Sequence, residues 1–134
     1  MSLQYSVALR NNQLDQVEAT LGVSAKLRLL TGAPPANCAA AQTGTLLCEI
    51  ALPSDWMTTA AGGVKTKNGT WNGVGIASDT VAHFRVVDNA GTTCHMQGTV
   101  TLTGGGGDMT VDNTSIAINQ NVTVNTFTLG AGNA

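Results

Sequence analysis

Cys94-His95 is the pair in this chain that looks most like a nucleophile beside its base, because a thiol becomes reactive when an imidazole can take its proton. Neighbours on an extended strand point to opposite faces, however. If this stretch is a strand, Cys94 turns into the core and His95 away from it, and no dyad forms. The other histidine, His83, falls where a hairpin would bring it diagonal to His95 on one face, within reach of a single metal ion. No third ligand accompanies them, and Arg85 opposite His95 would repel a cation. Both histidines are therefore read as facing the surface or a neighbouring subunit. Cys38, Cys48 and Cys94 form no CxxC pair, and a zinc site needs about four ligands at close spacing, so they read as structural thiols. Cys38 lies in an alanine-rich loop, and an exposed loop would let it cross-link to Cys48 or to another copy.

The run Gly104-Gly105-Gly106-Gly107-Asp108 is the second candidate. A phosphate loop ends in Gly-Lys-Ser/Thr, whereas here an aspartate of the wrong sign follows the glycines. A dinucleotide fingerprint would open a helix, but Met109-Thr110-Val111 alternates like a strand. Asp108, Asp112 and Asn113 offer hard oxygens to calcium. On a strand, though, Asp108 and Asp112 stand about 13 Å apart, at roughly 3.3 Å per residue. The glycines are read instead as a joint that crosses between sheets or turns sharply at a sheet edge. The eight acidic residues are scattered, so no carboxylate pair for hydrolysis is evident. Asn68, Asn113 and Asn121 begin glycosylation sequons, which an Asn/Thr-rich chain produces by accident. The reading assigns no catalytic, cofactor or metal residue.

The elements that position these residues follow from periodicity. Val7, Leu14, Val17 and Leu21 fall near helical spacing, with Asn11, Asn12, Asp15 and Glu18 on the other side and Gly22 just past the end. After Gly22 the period becomes two. Ser24 to Leu30 alternates with Lys26 and Arg28 outward, a Pro34-Pro35 loop follows, and Thr45 to Leu52 is a strand that Pro53 ends. Residues 54–63 read as a loop or one helical turn. Thr66 to Ile76 reads as one short bulged strand around Trp71. Val81 to Asp88, Asn89-Ala90-Gly91 and Thr92 to Thr103 predict a hairpin. Pairing Asp88 with Thr92 puts Phe84 opposite Met96 and Val86 opposite Cys94 on the core face, with His83 and Arg85 outward. A second hairpin is expected from Ser115–Ile118 and Val122–Leu129, opposing Ile118 to Val122 and Ile116 to Val124.

Short strands separated by Gly and Asn turns predict an all-β fold. The expected form is an antiparallel, jelly-roll-like β-sandwich of residues 23–134, preceded by an N-terminal arm and short helix in residues 1–22. A chain of 134 residues suits one domain and needs no disulfide to bury a core. Only 10% of residues are charged, well under the usual quarter, so the surface is built from hydroxyls, amides and methyls. A net charge of −2 without a basic stripe argues against nucleic acid. The absence of a long apolar run argues against a membrane span. Met1 to Tyr5 show neither a basic n-region nor an apolar h-region, which reads as a protein made in a cytosol.

Five stretches together carry a resemblance: YSVALRNNQLDQVEATLG, LLTGAPPANCAAAQTGTLL, ALPSDWM, AHFRVVDNAGTTCHMQGTV and GGGGDMTVDNTSIAINQNVTVNTFTL. The arrangement resembles small virion proteins encoded in the structural-gene clusters of tailed bacteriophages and prophages. It covers nearly the whole chain, through composition and fold-like motifs rather than catalytic ones. The resemblance implies a non-enzymatic structural protein, foremost a capsid decoration (cement) protein on the virion surface, assembled in the host cytoplasm. Its partners would be the major capsid protein and copies of itself. The alternative is a tail, collar or fibre-associated subunit with receptor or carbohydrate contact through Tyr5, Trp56 or Trp71. Position and expected exposure nominate Leu3, Tyr5, Leu9, Arg10, Pro34 and Pro35 as partner contacts.

Overall fold

Ser6 opens a helix by accepting the Leu9 N–H on its hydroxyl, and Gly22, at φ 82°, closes it by donating to the Glu18 carbonyl. In this computed structural model, which describes residues 3–134, that helix is α1, Val7–Leu21. The first residues of the expected arm, Met1 and Ser2, lie outside the described residues. Leu14 and Leu21 are buried, while Val7 is exposed. The polar stripe does not face solvent as expected. Asn11, Asp15 and Glu18, at positions i, i+4 and i+7, point inward. They accept the N–H groups of Gly63 (2.8 Å), Ala60 (3.0 Å) and Met57 (2.8 Å). The reason is backbone supply. Segment 57–63 meets Lys67 and Val64 through two isolated bridges and Thr66 through Thr58, and its remaining donors need acceptors.

The strands are β1 (Lys26–Leu30), β2 (Leu46–Ala51), β3 (Val64–Thr66), β4 (Asn72–Val74) and β5 (Asp79–Thr80). They continue as β6 (His83–Val87), β7 (Cys94–Leu102), β8 (Met109–Val111), β9 (Ser115–Ile116) and β10 (Asn121–Gly130). The fold is all-β with one short helix. In place of the expected antiparallel jelly-roll-like sandwich, the strands form one eight-stranded mixed sheet, ordered β2-β1-β6-β7-β8-β10-β3 with β4 also on β10, beside a two-stranded β5–β9 ribbon. The sheet curls until β4 lies over β2. A Cβ on Gly73 would stand 2.9 Å from Cys48 Sγ and 2.8 Å from an Ile50 carbon, and Ile76 N–H donates to the Leu47 carbonyl. Inside the curl, Trp56, Trp71, Phe127 and Phe84 form a chain of ring contacts at 6.0, 5.7 and 5.5 Å, and Leu27, Leu29, Ile50, Val86 and Met109 fill the space around them.

Three expected pairings change. The β6–β7 hairpin exists, but Phe84 opposes Gly98 and Val86 opposes Met96, two residues from the expected register. The Asp88 carboxylate takes the Thr92 and Thr93 N–H groups, lengthening the loop, and His95 is an extra residue bulged between Met96 and Cys94. A shift of two keeps the faces, so Phe84 and Val86 stay in the core. The bulge reverses Cys94, which leaves the core and becomes half-buried on the opposite face. Second, the 66–76 strand splits into β3 and β4 around a turn at Asn68-Gly69, with Trp71 fully buried between them. Third, the expected 115–129 hairpin does not form. Asn119, at φ 67°, donates to the Gly75 carbonyl, β9 pairs with β5, and β10 pairs with β8, β4 and β3. Ile118 is consequently exposed.

The glycine run turns sharply, but within the sheet. It joins β7 to β8, which are parallel, with Val100 opposite Met109 and Leu102 opposite Val111. Parallel neighbours ordinarily need a crossover of a dozen residues or more. Here residues 103–108 suffice because the pair is three residues long and the chain doubles back along β7. Gly104 and Gly106 adopt φ 86° and 81°, and a Cβ on Gly105 or Gly107 would strike the Thr101 side chain at 2.7 or 2.9 Å. The Asp108 carboxylate accepts from Thr99 N–H and Oγ1 on its Oδ2, which closes the turn.

Candidate functional site

Strand alternation gives the sheet a second face, and the side chains on it are polar. In register across β2, β1, β6 and β7 run Glu49, Arg28, Arg85 and Gln97. The next row holds Leu30, His83 and Thr99. His83 and Arg85 were expected outward, and in direction they are, but they are not at the surface: His83 is 0% exposed and Arg85 3%. The loop 31–45 lies over them. His83 Nδ1 contacts the Gly32 carbonyl at 2.7 Å, Gln97 Nε2 donates to the Pro35 carbonyl at 2.7 Å, and Arg85 Nη2 donates to the Cys38 and Ala40 carbonyls at 2.8 and 3.0 Å. Three strand side chains thus take up carbonyls of a loop that has no ladder of its own. Each keeps one buried polar atom without a partner: His83 Nε2, Gln97 Oε1 and Arg85 Nη1.

The thiols sort by face. Cys48 is fully buried in the core, where desolvation pushes its thiol up to about 11. It therefore cannot meet Cys38, contrary to the expectation that these two could cross-link. Cys38 instead faces Cys94 beneath the loop, and burial followed by the neighbouring Cys94 thiol pushes the Cys38 thiol up. Cys94 and His95 make no hydrogen bond to each other; the Cys94 thiol donates to the Met96 carbonyl at 3.4 Å. Among the described residues no group of three His, Cys, Asp or Glu side chains is arranged to hold a metal ion.

A second polar cluster fixes α1. Lys65, 2% exposed, reaches Asp15 at 2.7 Å and Glu18 at 3.3 Å. The Lys65 hydrogen bond, then that of Ala60, lowers Asp15 below the usual carboxylate range. Burial opposes the charge on Lys65, but both carboxylates together raise it above its ordinary value.

The nominated contact residues fall into two places. Tyr5 N–H donates to the Asn133 carbonyl, Arg10 Nη1 to the Ala131 carbonyl, and Ala131 N–H to Gly63. These bonds gather the start of α1, Gly63-Val64 and the C-terminal segment. Leu3 (67% exposed), Val7, Leu9 (46%) and Val64 (44%) project from this region, whereas Tyr5 and Arg10 are half-buried. Pro34 and Pro35 are half-buried elsewhere, over β7. Further apolar side chains, Val74, Ile76 and Ile118, are exposed where Asn119 N–H donates to the Gly75 carbonyl and Gly75 N–H to the Gln120 carbonyl. Nothing in the 115–129 pattern signalled it, because the alternation suited a hairpin.

Neither protein-family models, curated proteins nor solved structures yield a match to this chain. Its site is therefore read from its own residues. Trp56 and Trp71 are fully buried, their indole N–H groups bonded to the Gly22 and Asn68 carbonyls. Neither presents the flat face on which a sugar stacks, which counts against carbohydrate contact through them.

Proposed function

We propose that this chain is a non-enzymatic virion structural protein, a capsid decoration protein that binds an assembled shell and stabilises it through contacts between subunits. The observation that carries this reading is that Leu3, Val7, Leu9 and Val64 are exposed apolar side chains at or near a helix start and a strand that the domain holds firmly. Large apolar side chains left exposed on rigid elements are candidate contact residues, and a low surface charge suits a protein that works by contact area. Several polar side chains are engaged with the chain's own backbone: Asn11, Asp15 and Glu18 with segment 57–63, His83, Arg85 and Gln97 with the covering loop. On a symmetric lattice, modest single contacts multiply into avidity. The proposed partners are the major capsid protein and other copies of this chain, and the proposed location is the outer capsid surface.

The test is copy number and position in purified virions carrying this protein, by quantitative mass spectrometry and cryo-electron microscopy. A decoration protein appears at lattice stoichiometry over the capsid. Density confined to the tail, collar or fibres supports the rival reading, and absence from the particle removes both.

A further inference from the structure

Arg85 is a cation inside the protein without an anion. It is 3% exposed, and among the described residues the ion pairs are made by Lys26, Arg28 and Lys65, none by Arg85. A buried charge is costly unless it is paired, and hydrogen bonds to carbonyl oxygens compensate only part of the lost hydration. The register adds a second difficulty. Arg28 stands directly opposite Arg85 on the neighbouring strand, and like charges in that position repel. Glu49, at 2.8 Å from Arg28, neutralises one of the two. One positive charge remains.

That charge borders a cavity of about 210 Å³ between the covering loop and the β6–β7 turn. Arg28, Arg85, Cys38, Cys94 and Thr92 line it, and Ala41, Gln42 and Thr92 at its rim are exposed, so it communicates with solvent. A water occupies about 30 Å³, which leaves room for a small oxyanion with some of its hydration. No carboxylate lines the cavity: Glu49 is held by Arg28 and Lys26, and Asp88 is turned to the N–H groups of Thr92 and Thr93. Arg85 has used Nη2 on the Cys38 and Ala40 carbonyls, while Nη1 keeps an unpartnered donor. A guanidinium with an unpartnered nitrogen, beside a second guanidinium, suits a phosphate or carboxylate group, while the Thr92 hydroxyl already donates to the Asp88 carboxylate.

We propose that this cavity is an oxyanion-binding site in which Arg85, assisted by Arg28, holds a small anion that completes the charge balance beneath the loop. The inference is independent of the virion assignment. Because the loop carbonyls and the anion share one guanidinium, binding stabilises the loop's seat on the sheet.

The test is thermal unfolding of the purified chain at constant ionic strength, with sodium phosphate or sodium acetate replacing sodium chloride. Wild-type protein is expected to show a saturable rise in Tm with phosphate. Acetate as the effective probe would place the source in a carboxylate, phosphate alone in a free or esterified phosphate. Arg85→Met should abolish the response. Should that variant not fold, Arg28→Gln, a change at the cavity's solvent side, decides: the apparent phosphate affinity should fall about tenfold, the worth of one charge-assisted hydrogen bond. A wild-type Tm that follows ionic strength alone, or a phosphate response unchanged in Arg28→Gln, overturns the proposal.

Discussion

At the scale of single residues, the largest consequences attach to charges that the fold has placed indoors. Lys65 donates to two helix carboxylates, and its shift and that of Asp15 have opposite signs of linkage to pH. Asp15 is lowered on folding, so its contribution is full above its ordinary value of 3.8 and disappears as pH falls through the folded value. Lys65 is raised, so its contribution is full below 10.5 and is lost as pH rises through the folded value. Tm measured against pH should therefore fall at both ends, and Lys65→Met should lower the plateau and flatten the alkaline limb. An alkaline limb identical in both proteins would detach Lys65 from stability. Thiol chemistry gives a second prediction. Cys48, buried and pushed up to about 11, should resist iodoacetamide at pH 8 in native protein and react only on unfolding, while half-buried Cys38 and Cys94 react slowly but measurably. Peptide mapping of the alkylated sites checks the order. The burial of Cys48 follows from the alternation of its strand, whereas the Lys65 cluster was not legible from the residues alone. Asn11, Asp15 and Glu18 look like the wet side of a helix until segment 57–63 is seen to need acceptors.

At the scale of elements, local pattern identified what each segment becomes better than what it pairs with. The Gly22 cap and the alternation of Lys26–Leu30 depend on neighbours in sequence, and they appear as read. Partner choice depends on distant residues. The Ile116/Val124 alternation suits a hairpin, yet β10 finds β8, β4 and β3, because one long strand can serve three short ones. The burial of His83 and Arg85 was equally hidden: a strand reading HFRVV is polar outward by pattern, and only the 31–45 loop reveals why that face is dry. The glycine turn between β7 and β8 carries its own prediction. Gly106→Ala places a side chain at φ 81°, and the expected loss is about 1 kcal/mol or more, by denaturant titration. Gly105→Ala, at an ordinary φ but with its Cβ against Thr101, should cost a similar amount by crowding, and Gly105→Ala with Thr101→Gly should recover part of it. Equal losses in the single and double variants would show that crowding is not the cause.

For the whole molecule the question is which surface is left for others once the interior has taken its share. The curled sheet consumes the aromatic residues, and the two polar layers consume most of the side chains capable of chemistry. Among the exposed side chains, two apolar ones sit on rigid supports: Leu9 on the first turns of a helix anchored by Asn11, and Val64 on a strand paired with β10 and flanked by Lys65. A side chain that is exposed and lacks partners contributes little to folding, so Leu9→Glu and Val64→Glu should change stability by no more than about 0.5 kcal/mol. A contact surface responds differently, because burying an unpaired carboxylate at an interface costs several times that amount. Each variant should fold with wild-type circular dichroism and Tm yet lose binding to assembled shells in co-sedimentation. Ile76→Glu, in the separate Val74/Ile76/Ile118 group, serves as the internal comparison. If Leu9→Glu and Val64→Glu sediment with shells as wild type does and Ile76→Glu does not, the contact surface lies at the β4 end of the sheet and the helix start is free.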